Sequence, residues 1–342
     1  SRGPENSVLK EINNNLILGF HRLAINGLDD ISNQPICIDG IYLICNGEIY
    51  NYKHILKNLN ITPQTNSDCE CIIHLYKKYG IQYTLENLDG VFSFLIYDSN
   101  IQQIYAARDP FGVRPMYIGT NNEDIVVISS LLKQTGGFNI RTTDFPSGSY
   151  INIHISSMNI LHISDYKKYT NFNYNMGLMP ITNIDYCYST IYNLLIESVK
   201  KRVINSERNL ACLLSGGLDS SLISAIVAKW VPKGQLQTFS IGMMGGSDLK
   251  YAKMVSEHIN SNHTEIILSE QEFFDAIPEV IYNIESYDTT TVRASVGNYL
   301  VAKYISEHSD AKVIFNGDGS DELTGGYMYF HNCPNNMEFD YE

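Results

Sequence analysis

Basic residues are scarce. Lys and Arg number 24 against 37 Asp and Glu, a formal charge of −13. That imbalance excludes a nucleic-acid groove or a polybasic membrane contact as the main function. No apolar run approaches the ~18 residues of a membrane-spanning helix. No Cys-x-x-Cys pair occurs. The seven cysteines, Cys37, Cys45, Cys69, Cys71, Cys187, Cys212 and Cys333, are odd in number and scattered. A disulfide framework is therefore not expected, and a reduced, cytoplasmic compartment is. Cys37 and Cys45 fall in apolar strands and read as core. Cys69 and Cys71 in "CEC" fall in a helical pattern, where i and i+2 point to different faces, so a metal pair there is disfavoured. "SRGPENS" at the start lacks signal-peptide character. "NNMEFDYE" at the end follows a helical pattern without a stop signal. Both ends read as cut.

What is present suffices for two domains: 342 residues, 44% of them apolar. Residues 1–165 are strand-rich. "ICIDGIYLIC" carries Asp39-Gly40 between two apolar runs, a hairpin signal. "VFSFLIYD", "QIYAAR", "PMYIG" and "DIVVIS" follow as short strands. Between them Ile72, Leu75, Tyr76 and Tyr79 share one helical face, stopped by Gly80. This predicts an α+β domain with antiparallel sheets. Residues 166–184 read as a linker. From 185 to 342 strands and helices alternate ("NLACLL", "DSSLISAIVAKW", "QTFSI", "DLKYAKMVSEHIN", "HTEIIL", then helices through 270–308 and "KVIFN"). That rhythm predicts an α/β doubly wound parallel sheet.

Chemistry concentrates in two loops that follow strands. In "LLSGGLDSS" (213–221), Gly216 and Gly217 permit close approach to the main chain. The N–H groups of 215–219 and the start of the next helix then face one spot, an anion site, with Ser215, Ser220 and Ser221 adding hydroxyls. The lysine of a kinase-type P-loop is absent from this stretch, so simple γ-phosphate transfer is not indicated. Asp219 is repulsive in a phosphate cradle unless a divalent cation intervenes. "NGDGSDE" (316–322) repeats the composition after another strand. If both loops meet, Asp219 and Asp321 would share Mg²⁺ on a pyrophosphate. Taken singly, each loop also reads as a plain turn.

S-G-G-x-D-S after a strand resembles the pyrophosphate loop of the PP-loop ATP pyrophosphatases. "HRLAI" (21–25), "QP" (34–35), "NGEIYN" (46–51), "SDCE" (67–70), "LDGVFSF" (88–94) and "RDPFGVRPMY" (108–117) resemble the class II glutamine amidotransferase domain, a layered αββα fold. Together with "ESYDTTTVRAS" (285–295) and "NGDGSDELTGGYMYF" (316–330), the chain resembles the glutamine-hydrolysing asparagine synthetases over nearly its whole length.

The resemblance implies the following roles. Arg22 would pair with the glutamine carboxylate and Asp68 with its α-ammonium group. Asn46 and Gly47 would form an oxyanion hole. Glu48 would hold the glutamine, and the main chain of Leu23, Ala24, Ile25 and Asn26 would line its pocket. ATP would lie on Leu214, Ser215, Gly216, Gly217, Leu218, Asp219, Ser220, Ile241, Asn316 and Gly317. Thr290 and Arg293 would handle aspartate. Asp318 would serve formation of β-aspartyl-AMP, although the family usually carries glutamate there, as it carries serine at Asn316. Substrates would be ATP, aspartate and glutamine, with Mg²⁺ and an apolar interdomain passage for ammonia. No nucleic acid or membrane partner is implied, and a homodimer is compatible. The family's nucleophile is a cysteine at the mature N-terminus, which Ser1 does not match, so the 342 residues alone are expected to lack glutaminase activity. A β-lactam-synthetase-type enzyme and a degenerate nucleotide-binding homologue remain the alternatives.

Overall fold

The computed structural model describes residues 3–121, 125–136, 140–155, 161–170, 183–335 and 338. The chain divides into two compact units, Ser1–Phe172 and Asn173–Glu342.

The first unit runs β1 (Asn6–Asn13), β2 (Leu16–Arg22), β3 (Ile36–Ile38), β4 (Ile41–Ile49), α1 (Tyr52–Leu59), α2 (Glu70–Asn87), β5 (Gly90–Asp98), β6 (Gln103–Arg108), β7 (Tyr117–Thr120), β8 (Val126–Ser129), β9 (Arg141–Asp144), β10 (Ser149–Ile155), β11 (Leu161–Ile163) and β12 (Lys167–Lys168). Strands β11-β10-β6-β5-β4-β3 form one sheet, with β12 also on β10; β8-β7-β9 and β1-β2 form smaller ones. Every pairing is antiparallel. Strand alternation sorts the large sheet into two faces. Leu43, Cys45, Phe92, Phe94 and Ile96 pack with Ile55, Leu56, Ile72 and Ile73 of α1 and α2. Leu95, Tyr97, Ile104, Ala106 and Ile151 face the other way, toward Leu18 and Ile118 of the smaller sheets and Met116 just before β7. The layers built by the described elements are therefore helices, large sheet and small sheets.

The Asp39-Gly40 hairpin forms as expected, with both residues at positive φ (51° and 79°) between β3 and β4. Three expectations need correcting. Gly80 (φ 80°) breaks α2, but helix resumes through Asn87, and Tyr79 is exposed while Ile72, Leu75 and Tyr76 are buried. Cys37 is exposed because strand alternation points it to the face opposite buried Ile36 and Ile38. The start of the expected linker is stitched to the first unit: Lys167 and Lys168 pair with β10, Tyr166 packs edge-on against Phe145, and the Tyr169 hydroxyl donates to the Arg108 carbonyl at 2.7 Å. Residues 171–182 of that linker lie outside the described residues.

The second unit runs α3 (Ile184–Asn205), β13 (Leu210–Leu213), α4 (Leu218–Val227), β14 (Gln237–Gly242), α5 (Ser247–Ile259), β15 (Asn262–Ile267), α6 (Glu270–Ile284), α7 (Thr289–His308), β16 (Val313–Phe315) and α8 (Ser320–Thr324). The sheet order is β15-β14-β13-β16, all parallel. Helices cover both faces. Cys212 and Phe315 pack with Val199 and Val203 of α3 and Ile226 and Val227 of α4, while Ala211, Phe239 and Ile266 pack with Val301 and Ile305 of α7. The chain first builds outward from β13 through β14 to β15, then returns to add β16 on the other side. The crevice between β13 and β16 is thus the topological switch point, where open α/β sheets bind ligands beyond the carboxyl ends of their strands.

Candidate functional site

Each unit holds one cluster of the residues singled out above. In the first, the cluster follows the free edge of β4. Residues Asn46, Gly47 and Glu48 are not in a turn, the commonest reading of Asn-Gly, but within the strand, opposite Ser93, Phe92 and Val91. Phe92 turns its main chain toward Asp109: its carbonyl accepts from Asp109 N at 2.8 Å and its N–H donates to Asp109 Oδ2 at 3.3 Å. Gly47, facing Phe92, therefore directs its own N–H away from β5. Gly47 has no room for a side chain, since a Cβ would sit 2.3 Å from the Val91 carbonyl oxygen.

On that free edge Cys45, Gly47 and Ile49 point their N–H groups the same way. The Cys45 N–H donates to Gln34 Oε1 at 2.6 Å, and Gln34 Nε2 donates back to the Cys45 carbonyl at 3.2 Å. The Ile49 N–H donates to Asp68 Oδ2 at 2.6 Å. Among the described residues the Gly47 N–H between them has no hydrogen-bond partner. A lone donor on an otherwise satisfied edge is what an oxyanion requires.

Asp68 is buried, and burial pushes its carboxyl up to about 6, helped by the nearby Glu48 carboxylate. Glu48 Oε1 lies 3.6 Å from Arg114 Nη2. The segment carrying Arg114 is itself organised by buried Asp109, whose carboxylate accepts from the backbone N–H groups of Phe111, Val113 and Arg114 at 3.0–3.1 Å.

Arg22 is buried at the end of β2. Its Nη1 donates to the Asp29 carbonyl at 3.1 Å and to Asn33 Oδ1 at 2.9 Å, and its Nη2 to the carbonyls of Asn26 (3.2 Å) and Gly27. The guanidinium thus braces loop 26–33 rather than presenting an open fork. Of the neighbouring main chain, the Ala24 N–H donates to Glu5 Oε2 at 2.8 Å. Leu23 is exposed and Ile25 half-buried. Buried Asn26 keeps an unpartnered Oδ1.

In the second unit, Leu214 ends β13's run, its N–H donating to the Phe239 carbonyl at 2.8 Å. Gly216 turns the chain with φ 84°, and a Cβ there would lie 2.5 Å from Ala252 N and 2.6 Å from Tyr251 Cβ of α5. Ser215 Oγ and Ser220 Oγ are 2.9 Å apart and Ser220 Oγ accepts from Ser215 N at 3.2 Å, closing the loop on the first turn of α4. Leu218 is exposed and Asp219 half-buried.

The loop after β16 meets this one. A Cβ on Gly317 would stand 2.7 Å from Ser220 N and 2.9 Å from Asp219 Cβ. Asn316 Nδ2 donates to Asp318 Oδ2 at 2.9 Å. Asp321 lies in the first turn of α8, its carboxylate packed on Gly326. Among the described residues no three His, Cys, Asp or Glu side chains converge as a metal cage.

Thr290 and Arg293 are exposed on the first turns of α7, which Asp288 caps by accepting from Thr291 N at 2.9 Å. Thr290, Arg293 and Gly297 share a helix face. A Cβ on Gly297 would stand 4.0 Å from Ile241 Cγ2 on β14, so that face looks toward the carboxyl edge of the sheet. Sequence reasoning missed Asn33, Asp109 and the Tyr251–Ala252 backbone as parts of these clusters. Gln34 entered only as half of the "QP" pair; its in-register position beyond β3 was the available signal.

Residues 1–158 match the glutamine amidotransferase domain family and residues 190–340 the asparagine synthase family. The chain is 38% identical to a human protein named glutamine-hydrolysing asparagine synthetase, over 97% of this chain and 63% of the relative. It is 38% identical to the chicken protein of that name, over 98% of this chain and 64% of the relative. The chain thus spans somewhat under two thirds of the length of the curated relatives it matches. Among solved structures, a glutamine phosphoribosylpyrophosphate amidotransferase from B. subtilis aligns with 90% of this chain and 78% of its own at 15% identity and a TM-score of 0.39, too low to bear on the fold. The chain thus carries a glutamine amidotransferase domain followed by an asparagine synthase domain, and is similar along nearly its whole length to proteins named glutamine-hydrolysing asparagine synthetase.

Proposed function

We propose that the intact gene product carrying this chain makes asparagine from aspartate, using ATP for activation and glutamine as nitrogen donor. An oxygen of the aspartate β-carboxylate attacks the α-phosphorus of ATP and pyrophosphate leaves. Ammonia from glutamine then attacks the acyl carbon and AMP leaves. Adenylation replaces oxide, a poor leaving group, with a phosphate ester.

The observation that carries this reading is the contact of the two glycine loops at the switch point, Gly317 against Asp219 and Ser220. The main-chain N–H groups from Gly216 to Ser220 would hold the pyrophosphate. Leu214, Ile241, Asn316 and Gly317 would border the nucleotide, and Leu218 would shield it. Mg²⁺ held by Asp219 and Asp321 would neutralise phosphate charge. Arg293 and Thr290 would bind the aspartate carboxylates, and Asp318, oriented by Asn316, would face the reacting centre. In the first unit Asp68 and Glu48 would hold glutamine, and Gly47 N–H with the Asn46 amide would receive the developing oxyanion. Arg22 would act on glutamine through the loop it braces. The seven free cysteines support a cytoplasmic setting.

Exchange of labelled pyrophosphate into ATP, measured on the intact protein with and without aspartate, tests the synthase half. Aspartate-dependent exchange is expected. Exchange that ignores aspartate would favour a β-lactam-synthetase-type substrate, and no exchange would leave a degenerate homologue. Glutamate release from glutamine tests the amidotransferase half.

A further inference from the structure

Pairing of β3 with β4 follows one register: Ile38 faces Ile41 and Ile36 faces Leu43. Continued by one step, that register puts Gln34 opposite Cys45. Pro35 has no N–H to offer, and the chain leaves the sheet here. The Gln34 side chain makes the pair instead. Its primary amide offers one acceptor to the Cys45 N–H and one donor to the Cys45 carbonyl, as a peptide unit of a neighbouring strand would. Gln34 is buried, so these bonds are not exchanged for water. Two residues on, at Gly47, the sheet has no neighbour among the described residues, and two further on Asp68 takes the Ile49 N–H.

We propose that Gln34 is a positioning residue for glutamine hydrolysis: its side-chain amide acts as the last rung of the sheet and fixes the edge of β4 so that the Gly47 N–H is left aimed at the reacting carbonyl. This rests on the amidotransferase reading of the first unit. Gln34 touches neither substrate nor reacting atoms. Without it, Cys45 N–H and C=O are unsatisfied, β4 is free to shift at its edge, and the oxyanion donor moves with it.

Two variants test this in the intact protein. Gln34→Met removes both bonds with little change in volume. It is expected to lower kcat for glutamine hydrolysis roughly ten- to a hundredfold, the scale of displacing an oxyanion donor. KM for glutamine and asparagine formation from added ammonia should stay near wild type. Gln34→Glu keeps the shape, but its carboxylate faces the Cys45 carbonyl without a donor. Protonated, it regains one, the hydroxyl donating to Cys45 O while the carbonyl accepts from Cys45 N–H. The ratio of its kcat to wild type should therefore rise as pH falls. Unchanged kcat in Gln34→Met, or equal loss of glutamine- and ammonia-dependent synthesis, overturns the proposal. So does failure of both variants to fold by circular dichroism, which assigns Gln34 to stability alone. Wild-type protein that releases no glutamate from glutamine instead overturns the amidotransferase reading, and the proposal falls with it.

Discussion

Gly317 is pressed against Asp219. The space a Cβ would need on Gly317 is taken, at 2.7–2.9 Å, by the Asp219 side chain and main chain and by Ser220 N. Two loops separated by a hundred residues are thereby held in contact where β13 and β16 end. Gly317→Ala should push them apart, since overpacking against main chain has no side-chain tip that can yield. Aspartate-dependent ATP–pyrophosphate exchange is expected to fall roughly tenfold or more, because a small displacement of a phosphate cradle is costly. In the intact protein the glutamine hydrolysis proposed for the first unit should be spared. Wild-type exchange in this variant would show that the loop contact is not needed for nucleotide binding.

Gly47→Ala should act on the other unit. Its Cβ would stand 2.3 Å from the Val91 carbonyl oxygen and 2.7 Å from Phe92 Cα, so β4 and β5 must separate. A loss of about 2–3 kcal/mol is expected, at the upper end for overpacking. Urea unfolding followed by the fluorescence of tyrosines in that unit measures it, and a loss below ~0.5 kcal/mol would show that the strands yield without cost.

Asp109 is a structural carboxylate rather than a catalytic one. Its two oxygens accept four backbone N–H groups, from Phe92, Phe111, Val113 and Arg114. Asp109→Ala leaves the buried Phe92 N–H and three part-buried donors unpaired and should cost about 3 kcal/mol. Asp109→Asn, which keeps one acceptor oxygen, should cost less. Equal stability of the two variants by chemical denaturation would refute this ordering.

Much of this was legible in the sequence, and the physical reason differs by element. The second unit's strands and helices were readable because apolar runs bounded by Gly and Asn switch between periods of two and 3.6 residues. The meeting of "SGGLDSS" and "NGDGSDE" followed from loop composition and parallel topology. Local signals failed where pairing overrode them. Asn46-Gly47 carries a turn signal, yet lies within β4 because β5 pairs along its whole length. Cys37 sits in an apolar run but alternates to the face opposite Ile36 and Ile38, and is exposed there. Arg22 has the right chemistry for a carboxylate, and composition could not reveal that it also donates to three main-chain carbonyls and the Asn33 side-chain oxygen. The capping box of α6, Ser269 with Glu272, was present as S-x-x-E and unread.

That box supplies a control outside both sites. Ser269 Oγ accepts from Glu272 N at 3.3 Å and Glu272 Oε2 accepts from Ser269 N at 2.7 Å. Ser269→Ala should lower the stability of the second unit by about 1 kcal/mol. Exchange and glutaminase rates at 25 °C should not change. A change in either rate would mean that α6 is coupled to a site.

Asp68 gives the pH dependence. Its carboxyl is raised from 3.8 to about 6, first by burial and then by Glu48, against the lowering effect of the Ile49 N–H bond. The native state therefore holds a proton that the unfolded chain has already lost between those values. Stability contributed by this group is full below pH 3.8, declines as pH rises toward about 6, and is lost above it. At neutral pH the ionised carboxylate costs about 3 kcal/mol. Asp68→Asn keeps an oxygen for the Ile49 N–H and removes that cost, so its melting temperature should equal or exceed wild type above pH 6 and lose the advantage in acid. Glutamine binding should respond oppositely. In the proposed role the glutamine ammonium pairs with the ionised form, so wild-type KM should rise as pH falls through about 6, and Asp68→Asn should raise KM above that pH, with the difference from wild type shrinking in acid. Calorimetric melting and glutamine saturation curves from pH 5 to 8 check both halves. A variant melting below wild type at pH 8 would show that the carboxylate stabilises the fold.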